Sequence, residues 1–220
     1  MHKFDLKWVI FILLLILSFN FAAVLAQQDN QENKAEAKTV YIDSDHLKYE
    51  EEKTILSGHI VIRKDQTTIK ANNGELIREK NKLFLENEIN VDYEDGIVTS
   101  NNLTALLKEE EYIFENNVKM DYILENRDEN MQLESEYLQI FGENNSFTAK
   151  NNVLIKYEGK NFKGDKAEYV GEEEILYLTG NVMIEEGKNW VKSNQAKFFL
   201  GEGKEGYTAD GNVQIKMILD

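Results

Sequence analysis

The chain has 220 residues, with 25 Lys+Arg against 40 Asp+Glu for a formal net charge of −15, and it is 42% hydrophobic and 10% aromatic. That apolar content excludes low-complexity disorder, and the sign of the charge excludes a basic nucleic-acid-binding surface. Cys and Pro are both absent. There are therefore no disulfides, thiolate metal sites or cysteine nucleophiles, and every backbone N–H is available to a sheet.

Residues 1–26 read as an export segment: Lys3 and Lys7 precede the apolar run Trp8 to Leu17, and Val24-Leu25-Ala26 places small residues where a signal peptidase cuts. Cleavage after Ala26 is the first reading. A retained anchor over Trp8 to Ala26 is the second, because that stretch is close to the roughly 20 residues that span a bilayer. Either reading puts the remainder outside the cytoplasm. Residues 27–38 carry almost no apolar side chains and form a disordered spacer. The folded domain is expected over 39–220.

Within that domain one short pattern returns six times, beginning at Gly58, Asn87, Asn116, Asn151, Gly180 and Gly211, with spacings of 29, 29, 35, 29 and 31 residues. Examples are Asn151-Asn152-Val153-Leu154-Ile155 and Gly180-Asn181-Val182-Met183-Ile184. A recurrence of this kind marks a solenoid, whose units bury their apolar faces only by stacking on their neighbours.

Each unit holds three stretches with a period of two residues, the signature of strands with one buried face. The first follows the Gly/Asn turn, as in Ile89/Val91/Tyr93 and Val153/Ile155/Tyr157. The second has an odd step after a small residue, as in Val98-Ser100-Leu103-Ala105 and Val191-Ser193-Ala196-Phe198, which implies a bulge or bend. The third, as in Leu83/Leu85 and Tyr112/Phe114, runs into the next Gly or Asn turn. Six units of three strands give about eighteen short strands, and no helical period competes. Glu94-Asp95-Gly96, Glu158-Gly159 and Glu186-Gly187 are hairpin signals, so the strands reverse and the sheet is antiparallel. The fold class is all-β, a rolled antiparallel solenoid of about six repeats.

Little supports an enzyme. Beyond the export segment only His46 and His59 occur, and no metal-ligand set or nucleotide-binding fingerprint accompanies them. Ser44, Ser100, Ser135 and Ser193 share a column with Ala71 and Gly164, which indicates selection for size. No catalytic residue, metal ligand or cofactor is assigned. Glu50-Glu51-Glu52, Glu109-Glu110-Glu111 and Glu172-Glu173-Glu174 fall between the second and third strands of their units, where stacking aligns them as an acidic ridge.

The apolar columns line an interior that runs the length of the solenoid, and periodicity alone leaves it either a packed core or a groove for acyl chains. The terminal strands are unpaired edges, near Val40 to Tyr49 at one end and Val213 to Leu219 at the other. They invite strand addition by a partner or by another copy.

The series Asp165-Lys166-Ala167-Glu168-Tyr169 followed by Ile175-Leu176-Tyr177-Leu178-Thr179-Gly180-Asn181-Val182-Met183-Ile184, matched by Ser44 to Tyr49 and Thr54 to Ile62, resembles the lipopolysaccharide-transport protein A (LptA, OstA-like) family over nearly all of residues 40–218. The resemblance implies a β-jellyroll holding lipopolysaccharide, or a similar amphiphile, by its acyl chains, and a non-enzymatic role in the periplasm. The matching interior positions are Ile60, Ile62, Ile89, Val91, Val118, Met120, Val153, Ile155, Val182, Ile184, Val213 and Ile215. The implied partner edges carry Val40, Ile42, Leu47, Tyr49, Val213, Ile215 and Met217. Through them the domain joins an inner-membrane transporter complex (LptC-like), an outer-membrane LptD-like protein, or further copies head to tail. With a retained anchor, the chain resembles instead the membrane-anchored LptC-type member of that machinery.

Overall fold

The computed structural model describes residues 41–219, apart from 65–66, 78, 94–95, 107–108, 110, 123–129, 142–143, 145 and 202–205. The expected export segment and spacer, together with Val40, lie outside the described residues. Among those described there is no helix, and all fourteen strands belong to one antiparallel sheet.

Ten strands are long, at 11 or 12 residues each: β3 (Lys53–Lys64), β4 (Thr67–Ile77), β5 (Lys82–Tyr93), β6 (Gly96–Leu106), β7 (Glu111–Tyr122), β8 (Met131–Phe141), β9 (Ser146–Tyr157), β10 (Lys160–Val170), β11 (Ile175–Glu186) and β12 (Asn189–Phe199). Each pairs with the strands before and after it. The short β1 (Tyr41–Asp43) and β2 (His46–Tyr49) both pair with β3, and the short β13 (Gly206–Asp210) and β14 (Gln214–Lys216) both pair with β12.

The eighteen short strands expected from the sequence are therefore fourteen, most of them twice as long. The third stretch of each unit and the first stretch of the next are one strand. Leu83/Leu85 and Ile89/Val91 both lie in β5, and the Asn87-Glu88 pair between them is a bulge rather than a reversal: Glu86 opposes Asn102, Ile89 opposes Ser100, and two residues face the single Asn101. The cause is local. All six recurring pairs, Gly58-His59, Asn87-Glu88, Asn116-Asn117, Asn151-Asn152, Gly180-Asn181 and Gly211-Asn212, have positive φ at both residues. Gly and Asn tolerate that region best.

The even-numbered strands bend at the same height. Their register shifts fall at Ala71-Asn72, Ser100-Asn101, Ser135-Glu136, Gly164-Asp165 and Ser193-Asn194, where the odd step in the sequence places a bulge. The serines contribute more than size. Ser100, Ser135 and Ser193 each donate Oγ–H to the carbonyl two residues on, at 2.9, 3.0 and 2.8 Å, closing the bend with a local hydrogen bond.

Aligned bends crease the sheet into two half-sheets. Strand halves next to Leu83/Leu85 form one layer, and those next to Ile89/Val91 form the other. Phe162, in the second layer, meets Phe198, in the first, edge to face with ring centroids 4.5 Å apart. A Cβ on Gly74 would lie 3.2 Å from Ile60 Cδ1 across the crease and 2.7 Å from Leu85 Cδ2. The core fills the space between the layers. Outward faces carry cross-strand ion pairs, such as Lys53–Glu75 at 3.0 Å and Lys156–Glu134 at 3.1 Å.

Candidate functional site

The apolar interior follows from alternation on both sides of each bulge. In β9, Phe147 and Ala149 point inward before the Asn151-Asn152 pair, and Val153 and Ile155 do so after it. Ten of the twelve interior positions named from the resemblance (Ile60, Ile62, Ile89, Val91, Val118, Met120, Val153, Ile155, Val182 and Ile184) lie in one layer and are between 1% and 7% exposed. Val213 and Ile215 continue the same columns at the C-terminal end, where no further strand among the described residues covers them, and they are 46% and 63% exposed.

The facing layer was absent from that set. Leu56, Leu85, Leu103, Phe114, Leu138, Leu178 and Phe198 are equally buried and form the opposite wall. Their signal was present in the second and third stretches of every unit, which alternate as strongly as the first. Ala105, Ala149, Ala167 and Ala196 are buried in this wall too, each leaving less side-chain volume than its neighbours.

Connecting loops join neighbouring strands within one layer, so the chain passes between layers only at the creased side. Near the opposite seam the interior is aromatic. Phe147 stacks on Tyr169 at 5.5 Å, and Tyr112, Tyr122 and Phe162 are buried. Burial, with the neighbouring Glu174 carboxylate adding to it, pushes the Tyr169 phenol up to about 12. The seam is bordered in part by the acidic turn Glu172–Glu174, where Tyr177 donates to Glu173 Oε2 at 3.1 Å. The interior near this seam is thus a low-dielectric, apolar region with an acidic border.

No group of three or more His, Asp or Glu side chains among the described residues is placed to hold a metal ion. His59 Nδ1 lies 2.7 Å from Asp45 Oδ2 on the surface, and this hydrogen bond, reinforced by the carboxylate charge, raises the imidazole above its ordinary value. His46 is exposed on β2.

Among the described residues, both ends of the interior are left uncovered. Ile42, Leu47 and Tyr49 occupy inward positions opposite Ile62, Leu56 and Thr54 of β3, and they are 41%, 64% and 65% exposed. At the other end Tyr207 and Ile215 oppose Phe198 and Val191 of β12 and are exposed, as is Met217 beyond β14.

Among solved structures, the chain is similar to LptH, the LptA-homologous periplasmic component of the lipopolysaccharide transport device of Pseudomonas aeruginosa. Identity is 10%, with 83% of this chain and 96% of that chain covered, at a TM-score of 0.33. No curated protein matches. Residues 41–204 match the family described as LptA/(LptD N-terminal domain) LPS transport protein, and with three quarters of its length inside that match the chain belongs to this family.

Proposed function

We propose that the chain is a periplasmic carrier that holds lipopolysaccharide, or a similar amphiphile, by its acyl chains between the two layers, and that it connects to LptC-like and LptD-like proteins through its end strands. Membership of a lipopolysaccharide-transport family supports the cargo. The observation that carries the site is an apolar interior whose columns run without interruption from Ile42 to Ile215 and surface at both ends.

The interior is packed, so loading requires the layers to part. They are linked through the bends on one side only, and the left-handed pairs make those bends a natural hinge line. Acyl chains entering the slot replace one set of apolar contacts with another, at about 0.8 kcal/mol per buried methylene, which offsets the lost contact between layers. The family is a transport family and the reading includes no catalysis.

The test is in-cell photo-crosslinking from an unnatural residue at Ile155, which is 1% exposed, with the outward Lys156 as control. A lipid adduct at Ile155 and none at Lys156 is the expected outcome. No lipid adduct at either position, in a folded protein with its transporter active, would return the interior to a solid core.

A further inference from the structure

On the outer side of the crease, the junctions between an odd-numbered strand and the even-numbered strand after it repeat one chemistry, with a single exception. The outward pair just beyond the left-handed residues is Val61 opposite Lys70, Lys119 opposite Glu134, Leu154 opposite Lys163 and Met183 opposite Lys192. Each of these pairs includes a lysine. Between β5 and β6 the pair is Asn90 opposite Thr99, and both side chains are short, neutral and polar.

The same rung departs from the repeat a second time. The second left-handed residue is His59, Asn117, Asn152, Asn181 or Asn212 at the other creases, but here it is Glu88, at φ 56°. Asn and His are enriched in that backbone region and Glu is not. A side chain kept in unfavourable backbone points to a use for the side chain itself.

Where the two departures meet, a cleft of about 340 Å³ opens on the outer face. Glu88, Asn90, Thr99, Asn101 and Asn117 form its walls, above the buried Ile89–Ser100 pair. That volume is at the lower end of small-ligand clefts, about 300–1,000 Å³. The cleft lies on the creased side, away from the interior and the aromatic seam, and nothing in it depends on what the interior holds.

The walls select the ligand. One carboxylate, three carboxamides and one hydroxyl supply acceptors and donors side by side, and among the described residues no cationic side chain lines the cleft. An anion would meet the Glu88 charge unopposed. A calcium-type site gathers about 6–8 oxygen ligands, which a single carboxylate does not anchor. A peptide strand would seek an unpaired edge, whereas β5, β6 and β7 are each paired on both sides. A neutral polyhydroxylated ring fits, because its adjacent hydroxyls donate and accept at once. Asn72 Nδ2 donates to Glu88 Oε2 at 3.1 Å, which steadies the carboxylate at the rim and leaves it acceptor capacity for hydroxyls.

We propose that this cleft binds a sugar ring, with Glu88 accepting from its hydroxyls and Asn90, Asn101 and Asn117 donating and accepting around it. Two sources present that chemistry, the saccharide part of an amphiphile and a free glycan strand.

The test titrates the full isotope-labelled chain with two probes and follows backbone amide shifts. One probe is the dephosphorylated, lipid-free saccharide released from lipopolysaccharide by mild acid, and the other is chitotetraose. Saturable shifts at Asn90, Thr99, Asn101 and Asn117, with Ile155 in the interior unmoved, are expected with at least one probe. Response to the first alone assigns the site to an amphiphile's saccharide, response to the second alone to a free glycan, and response to both to the sugar chemistry they share. No saturable shift at the cleft with either probe overturns the proposal.

Two variants return the rung to the repeat. Thr99→Lys restores the lysine found at Lys70, Lys163 and Lys192, and Glu88→Asn restores the residue type of Asn117 and Asn152. Each should weaken binding about tenfold, the order of one hydrogen bond to a charged group. Other rungs carry these residues, so the sheet is expected to fold in both. Glu88→Asn should also raise the urea midpoint by relieving the left-handed backbone. Unchanged affinity in both variants would overturn the cleft as the sugar site. A lowered midpoint in Glu88→Asn would mean that Glu88 is kept for the fold, and would overturn its role as a ligand.

Discussion

Two consecutive left-handed residues hold each crease in place, and the pairs differ in how well their side chains suit it. At Gly180 the φ of 76° is joined by a neighbour, because an added Cβ would lie 2.9 Å from the Asp165 Cβ and also meet that carboxylate. At Gly159, in the β9–β10 hairpin, φ is 70° and nothing lies within 4 Å. Gly159→Ala is expected to lose about 1 kcal/mol, the backbone strain alone. Gly180→Ala should lose about 2–3 kcal/mol, since Asp165 must also move and release Asn181 Nδ2, which it accepts at 2.9 Å. Urea midpoints for the two variants check the order, and equal losses would mean that the Asp165 contact contributes nothing. At the first crease His59 stands where Asn181 stands later, and the difference is a titration. Its raised pKa means that the His59–Asp45 contribution is complete below the unfolded value of 6.5 and is lost as pH rises through the folded value. The Asp45 N–H bonds to Gly58 O at 2.9 Å. Its hydrogen exchange should therefore speed up, beyond the intrinsic pH effect, as His59 deprotonates. His59→Asn should remove that extra dependence, and an unchanged profile would rule the pairing out.

At the scale of the strand, the alternation in Val153/Ile155 or Leu176/Leu178 is visible in the sequence because a half-buried strand must alternate, and the hairpin at Glu158-Gly159 was visible because φ is positive at both residues. The same chemistry hid the long strands. Asn151-Asn152 and Glu158-Gly159 present similar residues in similar left-handed backbone, yet the chain continues through one and reverses at the other. What separates them is pairing with β8 and β10, which is not written in the local residues. The opposite wall of the interior, from Leu56 to Phe198, went unassigned for a related reason. Without the crease, nothing places the second and third stretches across from the first. Phe162 and Phe198 test the crease directly, because they lie two strands apart and on different layers. Phe162→Ala is expected to destabilise by about 3–5 kcal/mol, as a large core truncation does. The pair should also show a coupling of about 0.5–1.5 kcal/mol in a double-mutant cycle. Strict additivity would mean that the layers do not touch there.

At the scale of the molecule, each strand contacts its two neighbours along the sheet and one facing layer, so stability is nearly a sum over rungs. Central strands have both neighbours and buried inward side chains, whereas every residue of β1, β2 and β14 is exposed. Hydrogen exchange at low protein concentration should therefore be slowest in β6 to β9 and quicken toward both ends. The same gradient tests head-to-tail self-association through the end strands. Stacking on a second copy converts the two edges into interior rungs and leaves the centre as it was. Raising the concentration should slow exchange in β1, β2, β13 and β14 and leave β6 to β9 unchanged. The formal charge of −15 opposes bringing copies together, and it is screened over about 8 Å at physiological ionic strength. Edge protection should accordingly grow as salt rises from low to physiological levels. Slowing spread evenly over all strands would point to non-specific aggregation. Edge amides that stay fast at every concentration and salt would leave each chain with both ends open, for other proteins to complete.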